Sequence, residues 1–277
     1  MAFTEGRDPL RRPVAMTIAG SDSGGGAGIE ADLKTFEAHG LWGTAAVTAV
    51  TAQNSLGVQA SERVSPELVR AQMASVAADF GVDAAKTGML VDAETAASVA
   101  QTVQQLGIRP LVVDPVLVSS HGDVLLDLDG IDVLREQLLP LATVVTPNLS
   151  EAAALANRAV DSRQAMEDAA RAIGALGPQV VLVTGGHLPG ESSPDCLYAD
   201  GAVRWLEAPR LPARHNHGSG CVLSAAVCAE VARGMDPADA CLAAKRFTER
   251  AIAGGLALGA GTGPVDPGWE RYANGER

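Results

Sequence analysis

Apolar residues along this chain fall into short, nearly unbroken runs. Between the runs lie longer segments where they recur every three or four positions. The runs Val14–Ala19, Ala45–Thr51, Ala84–Thr87, Leu111–Val113, Thr143–Thr146 and Val180–Thr184 are mostly apolar throughout, which predicts strands covered on both faces. A helical period marks Gly28–Ala38, Pro66–Asp79, Ala93–Leu106, Ile131–Leu138, Leu149–Ala156 and Arg163–Leu176. This alternation predicts right-handed crossovers and a largely parallel sheet. Late in the chain the rhythm changes. Cys196–Ala199 and Val203–Leu206 flank the hairpin-turn pair Asp200-Gly201, and helices follow at Cys221–Arg233 and Pro237–Leu256. No composition break interrupts the pattern, so a short N-terminal extension over 1–13 and one α/β domain over 14–277 are expected.

Composition narrows the partners. The 277 residues are 47% hydrophobic and 19% charged, which supports a large core and excludes global disorder. Lys+Arg 21 against Asp+Glu 33 gives a net charge of −12. Such a chain has no basic field for nucleic acid, so any phosphate must be held locally by backbone amides, a metal or one or two placed cations. Four cysteines without zinc spacing suit a reduced, cytoplasmic setting. Met1–Pro13 carries charges of both signs and no apolar run, which does not read as a secretory signal. No stretch approaches the roughly 20 apolar residues that span a bilayer, so a soluble protein is expected.

Three groups of residues could carry chemistry. Gly20-Ser21-Asp22-Ser23-Gly24-Gly25-Gly26-Ala27-Gly28 follows a strand and precedes a helix, a place where backbone approaches a phosphate. It is not a P-loop, and the dinucleotide fingerprint fails at Ile29; a tight turn is the plainer alternative. His217-Gly218-Ser219-Gly220-Cys221 opens a helix, where free N–H groups and the helix dipole suit a transferred phosphoryl group or an oxyanion. The same field should lower the Cys221 pKa, although a small buried cysteine would need no such role. A serine hydrolase is disfavoured because Ser219 lacks the G-x-S-x-G frame. Finally, Asp114, Asn148 and Glu151 follow predicted strands, where carboxylates could hold Mg²⁺ directly or through water. Asn148 could equally be a helix cap. Thr184-Gly185-Gly186-His187 repeats the strand-then-glycine pattern.

Taken in order, these segments resemble the ribokinase-like superfamily, and within it the hydroxymethylpyrimidine/phosphomethylpyrimidine kinases. The resemblance is carried by Thr17–Asp22 with Ser23–Gly28, Ala31–Phe36, Ala52-Gln53-Asn54, Lys86–Leu90, Val113–Val116, Thr146-Pro147-Asn148, Thr184–His187 and His217–Cys221 with Leu223–Ala226. It implies a three-layer α/β fold, a mostly parallel central sheet flanked by helices. It also implies ATP- and Mg²⁺-dependent phosphorylation of 4-amino-5-hydroxymethyl-2-methylpyrimidine and then of its monophosphate, in thiamine biosynthesis. By this resemblance Cys221, Gly218, Ser219 and Gly220 would be catalytic, and Gly20, Asp32, Gln53, Met89 and Val116 would line the acceptor pocket. Asn148, Thr184 and Lys245, with Ser219, would contact ATP, and Asp114 and Glu151 would serve the metal. A homodimer acting on small molecules, with neither nucleic acid nor membrane as partner, is implied as well.

Two departures stand out: Thr184 replaces a frequent Lys, and Ser219 replaces a frequent Thr. The first removes a phosphate counter-charge; the second keeps the hydroxyl. A pyridoxal or pyridoxine kinase of the same fold and a non-catalytic vitamer sensor are the alternative readings. Val118–Asp123 and Arg210–His217 combine Gly or Pro with polar residues and are expected to move over the site.

Overall fold

A computed structural model describes residues 11–118 and 125–273. Nine strands are present among the described residues: β1 (Val14–Asp22), β2 (Trp42–Asn54), β3 (Gly57–Arg63), β4 (Ala84–Thr87), β5 (Leu111–Val113), β6 (Val144–Val145), β7 (Val180–Val183), β8 (Asp195–Ala199) and β9 (Ala202–Leu206). They form one sheet in the order β3-β2-β1-β4-β5-β6-β7-β8-β9. The pairings from β2 to β7 are parallel, while β3, β8 and β9 join antiparallel at the two edges.

The unbroken apolar runs have a simple cause. Alternate residues of each central strand enter two different cores. Val181 and Val183 join one apolar cluster with Met16, Ile18, Ala85 and Val145. Val180 and Leu182 join the other with Ala15, Ala84, Val112 and Val144. The first is covered by α2 (Pro66–Asp79), α3 (Ala93–Leu106), α4 (Leu128–Val133), α5 (Leu149–Ala156) and α6 (Arg163–Gly174). The second is covered by α1 (Gly28–Ala38), α7 (Ser219–Ala232) and α8 (Pro237–Ala253). A short α9 (Trp269–Ala273) ends the described chain.

Most elements lie where the sequence pattern put them, and three differ. The edge strand β3 was not expected, because its residues are mostly exposed and polar, as an edge requires. The segment read as one helix over 131–138 starts earlier, with Asp127 accepting from the Gly130 N–H. It then widens into a π-turn at Leu134–Leu138 and a 3₁₀ turn at Leu139–Leu141, where Pro140 removes a donor. The last long helix stops at Ala253 rather than Leu256.

The chain order turns back at β1. From β1 it runs outward to β2 and β3, then returns to β4 on the other side. The carboxyl ends of β1 and β4 therefore flank a switch-point crevice, the place where open α/β sheets bind ligands. Register shifts occur at Ala19/Ser21 in β1 and at Ala52/Gln53 in β2; bulges of this kind re-aim side chains beside functional sites. The β1–α1 loop closes tightly. Gly28 has φ +57, and a Cβ there would overlap the Gly20 carbonyl oxygen. Gly28→Ala should therefore lower stability by about 1–3 kcal/mol, the range for a strained backbone position. Chemical denaturation followed by circular dichroism would check this, and an unchanged midpoint would mean that the loop relaxes freely.

Candidate active site

Lys86 is the interior charge of the site. It lies in β4 with no exposed surface, and its Nζ reaches both carboxylate oxygens of Asp32, at 3.0 and 3.1 Å. The Asp114 carboxylate stands 3.7 Å away at the end of β5. Thr17 of β1 donates its hydroxyl to Asp32 at 2.6 Å, and Ser224 of α7 donates to Asp114 at 2.9 Å. Burial alone would push the Lys86 ammonium down. Asp32, together with Cys221 and Asp114, reverses this and holds it above the usual lysine value. The sequence reasoning placed Asp32 in the acceptor wall. Instead it is wholly buried beneath that wall as the counter-ion of Lys86. A lysine inside an otherwise apolar strand was the available signal for this pairing.

The mouth of α7 is built from backbone. Gly218 caps α7 with φ +80 and no side-chain cap; the Ser219 N–H is donated to Asn216 O at 3.2 Å, and the N–H groups of Gly220 and Cys221 lie at the helix mouth. A Cβ on Gly218 would overlap the Gly26 carbonyl oxygen, which explains why two small-residue loops, far apart in sequence, meet there. Asp22 organises the contact. Its carboxylate accepts from the N–H groups of Gly24 (2.8 Å), Gly26 (3.1 Å) and Ala27 (2.9 Å) and lies 3.1 Å from His217 Nε2. Burial would raise the Asp22 carboxyl, but the His217 ring and the Gly24 and Ala27 amides outweigh it and hold it below the usual value. Both stand in motifs read from the sequence, but neither Asp22 nor His217 is assigned a role there.

Cys221 departs from expectation. Burial pushes its thiol up to about 12. Asp114 and Asp32 push the same way, against the Lys86 ammonium and the Gly28 N–H. A helix N-terminus contributes about 0.3–1 kcal/mol, too little to offset desolvation beside two carboxylates.

The other residues fall on two sides. Met89 crowds Gly20, where a Cβ would overlap its methyl carbon, and Thr48 donates to the Met89 carbonyl at 2.6 Å. Gln53 sits at the β2 bulge with its Nε2 3.5 Å from His217 Nε2, and Val116 is partly exposed after Asp114. On the far side, Asn148 caps α5. Its Oδ1 accepts from the Glu151 N–H, and Glu151 accepts in return from the Asn148 N–H at 2.8 Å. The cap and the site thus share residues. Burial, with the Asp114 charge behind it, pushes the Glu151 carboxyl up to about 8. Two facing carboxylates suit a hard divalent cation. No cluster of three His, Cys, Asp or Glu that could hold a metal occurs among the described residues. Thr184 follows β7 with its N–H donated to Pro147 O. Lys245 is engaged with Asp195 (2.7 Å) and Ser193 O (3.1 Å).

The segment expected to move over 210–217 is tied at both ends. Arg210 bonds the loop before β8. At the other end Gly263 donates its N–H to His215 Nδ1 and accepts from the His217 N–H. Of the other segment, residues 119–123 lie outside the described residues. No helix among the described residues is long and apolar enough to cross a membrane.

Replacing Lys86 by Met leaves two buried carboxylates facing each other. Lys86→Met should cost about 3–5 kcal/mol, as removal of one partner of a buried pair does. Urea unfolding would measure it, and Lys86→Met/Asp32→Leu should recover much of the loss; no recovery would mean the pair is not the reason Lys86 is tolerated.

A family model described as phosphomethylpyrimidine kinase matches residues 22–266. The hydroxymethylpyrimidine/phosphomethylpyrimidine kinase of Streptomyces coelicolor is 49% identical, the match covering 94% of this chain and 96% of that protein. The ADP complex of Bacillus subtilis pyridoxal kinase superposes with a TM-score of 0.89 at 40% identity, covering 94% of this chain and 99% of the other. Phosphomethylpyrimidine kinase from Clostridium difficile 630 superposes at 0.78 with 35% identity, covering 87% and 100%.

Proposed function

The chain belongs to the phosphomethylpyrimidine kinase family, and from that premise we propose that it transfers the γ-phosphoryl group of ATP in two steps of thiamine biosynthesis. The first acceptor is the hydroxymethyl oxygen of 4-amino-5-hydroxymethyl-2-methylpyrimidine; the second is the resulting monophosphate. The observation that carries this reading is the uncapped α7 mouth, held against the β1–α1 loop and opening beside Cys221, Lys86 and Asp114. A kinase of ribokinase-like fold replaces the sensor alternative, since the curated relatives are named as kinases.

In this reading Gly20, Met89, Val116 and Gln53 receive the acceptor, with the Gln53 carboxamide offering a donor and an acceptor to the aminopyrimidine edge. Asp32 contributes from behind by fixing Lys86. Gly218 and Ser219 shape the α7 mouth, and the N–H groups of Gly220 and Cys221 there stabilise charge on the moving phosphoryl group. Cys221 accepts or orients the hydroxyl proton. Because burial pushes its thiol up to about 12, it orients the hydroxyl as a hydrogen-bond partner rather than as a resting thiolate, and the hydroxyl proton passes to an oxygen of the transferred phosphoryl group as the new O–P bond forms. Asn148, Thr184, Lys245 and the Ser219 hydroxyl face the nucleotide. Asp114 and Glu151 would hold Mg²⁺, which supplies charge neutralisation to the ATP phosphates. One kinase domain from Val14 onward, following the short extension, acts as a cytoplasmic homodimer; the family resemblance supports these last points.

A coupled ADP-release assay with the pyrimidine alcohol, its monophosphate and pyridoxal tests the whole reading. Turnover of the first two, with pyridoxal slower, is expected; turnover of pyridoxal alone would transfer the assignment to the kinase named by the Bacillus structure. Cys221→Ser should keep the fold and ATP binding while lowering kcat roughly 10²-fold or more. Near-wild-type turnover would remove Cys221 from the proton path. Gln53→Ala should raise KM for the pyrimidine by about tenfold, equivalent to the roughly 1–3 kcal/mol lost when a polar edge goes unpaired, with ATP affinity unchanged. A fall in ATP affinity instead would put Gln53 on the wrong side of the site.

A further inference from the structure

Arg210 opens the segment that runs into the α7 mouth, yet its guanidinium is spent on a different loop. Nε donates to Gly190 O at 2.8 Å and Nη1 to Gly186 O at 2.6 Å, while Nη2 donates to Leu188 O and, at 3.1 Å, to Ser192 O. Its backbone N–H donates to Glu191 O at 2.8 Å. The four carbonyls come from every second residue of 186–192. Four carbonyl dipoles pointed at one place repel one another, so this loop shape needs a cation with a planar fork of donors at its centre. No carboxylate forms an ion pair with Arg210 among the described residues, so carbonyls rather than an acid answer its charge.

The loop so held is the one that leaves β7. It begins at Thr184 and Gly185, and Gly185 donates its N–H to Asp195 at 2.9 Å, the same carboxylate that holds Lys245. At the far end, Ser193 O accepts from Lys245 and the Ser193 N–H bonds Ala208 O. Only the Arg210 side chain reaches the middle of the loop among these anchors. We propose that Arg210 is a positioning residue for the nucleotide: it shapes residues 186–192 into the surface that receives ATP and ties that surface to the segment leading to Gly218. The inference rests on the reading of the Thr184–Gly186 end as the nucleotide side. Because the loop is largely exposed, losing these bonds changes its shape more than the stability of the fold.

The test uses the full chain as wild type, Arg210→Ala and Arg210→Lys. Calorimetric titration with ADP is combined with KM for ATP and for the pyrimidine. Both variants should weaken ADP binding and raise KM for ATP roughly tenfold or more, where tenfold corresponds to about 1.4 kcal/mol. KM for the pyrimidine and the thermal midpoint should stay near wild type. Lysine should not rescue, because one ammonium cannot serve four carbonyls in a plane. Millimolar guanidinium ion should restore part of the ADP affinity of Arg210→Ala. Unchanged ADP affinity in Arg210→Ala overturns the proposal. So does an equal rise of both KM values with a collapsed thermal midpoint that guanidinium does not relieve. Should the wild type bind ADP without phosphorylating the pyrimidine, only the acceptor assignment falls and the ADP titration still decides on Arg210. A wild type that binds no ADP overturns both.

Discussion

Lys86 brings a positive charge into a strand buried on both faces, and that charge has to be answered inside the protein. Transferring an ammonium or a carboxylate out of water costs several kcal/mol even after relaxation, and only close pairing with further hydrogen bonds offsets it. Asp32 supplies the pairing from α1, and Thr17 supplies the further bond from β1. Asp114 joins from β5, itself held by Ser224 of α7. One buried charge thus fixes the mutual positions of β1, β4, β5, α1 and α7, the elements whose ends form the crevice. The cluster holds two carboxylates for one ammonium, so it keeps a negative balance at the side where Glu151 also lies. Burial first, and then that balance, push the neighbouring thiol up.

A second constraint is steric. The wall between the β1–α1 loop and the α7 mouth is backbone against backbone, with no room for a side chain at Gly28 or Gly218. Asp22 turns that contact into a defined shape by collecting three loop amides and the His217 ring. Its carboxyl is held below its usual value, so this contribution to stability is present above the unfolded-state pKa. It disappears only as pH falls through the lower folded value. The junction of the β1–α1 loop and the α7 mouth is therefore organised by a carboxylate whose ionised form the fold favours.

How far the sequence revealed this depends on what each residue does. The strands β4 and β5 and the helices α1, α2, α3 and α5 coincide with their apolar patterns, because two-sided burial leaves a plain signature. The edge strand β3 has no such burial and left no signature. In the site, the glycine loops and the helix mouth were legible because their chemistry is local in sequence. Asp32 was placed by resemblance on a surface from which burial removes it, since pairing with Lys86 spans 54 residues of sequence and no local spacing records it. The Cys221 pKa was misjudged for a related reason. The helix field is visible in the sequence, whereas the carboxylates that oppose it come from α1 and β5. Arg210 was read as the start of a mobile segment, because nothing in its neighbours shows the four carbonyls it meets.

The net charge of −12 sharpens the problem of binding a polyphosphate, and the fold answers it by location. Three cations beside the crevice are committed to protein partners: Lys86 to Asp32, Lys245 to Asp195, Arg210 to loop carbonyls. Such committed cations cost little extra ordering when a ligand arrives, because their side-chain entropy is already lost in the free protein. What they hold in place is the strand ends, the loop after β7 and the Asp32 and Asp195 carboxylates. In the proposed reading the transferred phosphoryl group is met by backbone N–H groups at the α7 mouth, which carry no net charge of their own. On that reading an acidic chain receives ATP without a basic surface, because its fixed charges build the site and its amides meet the phosphoryl group.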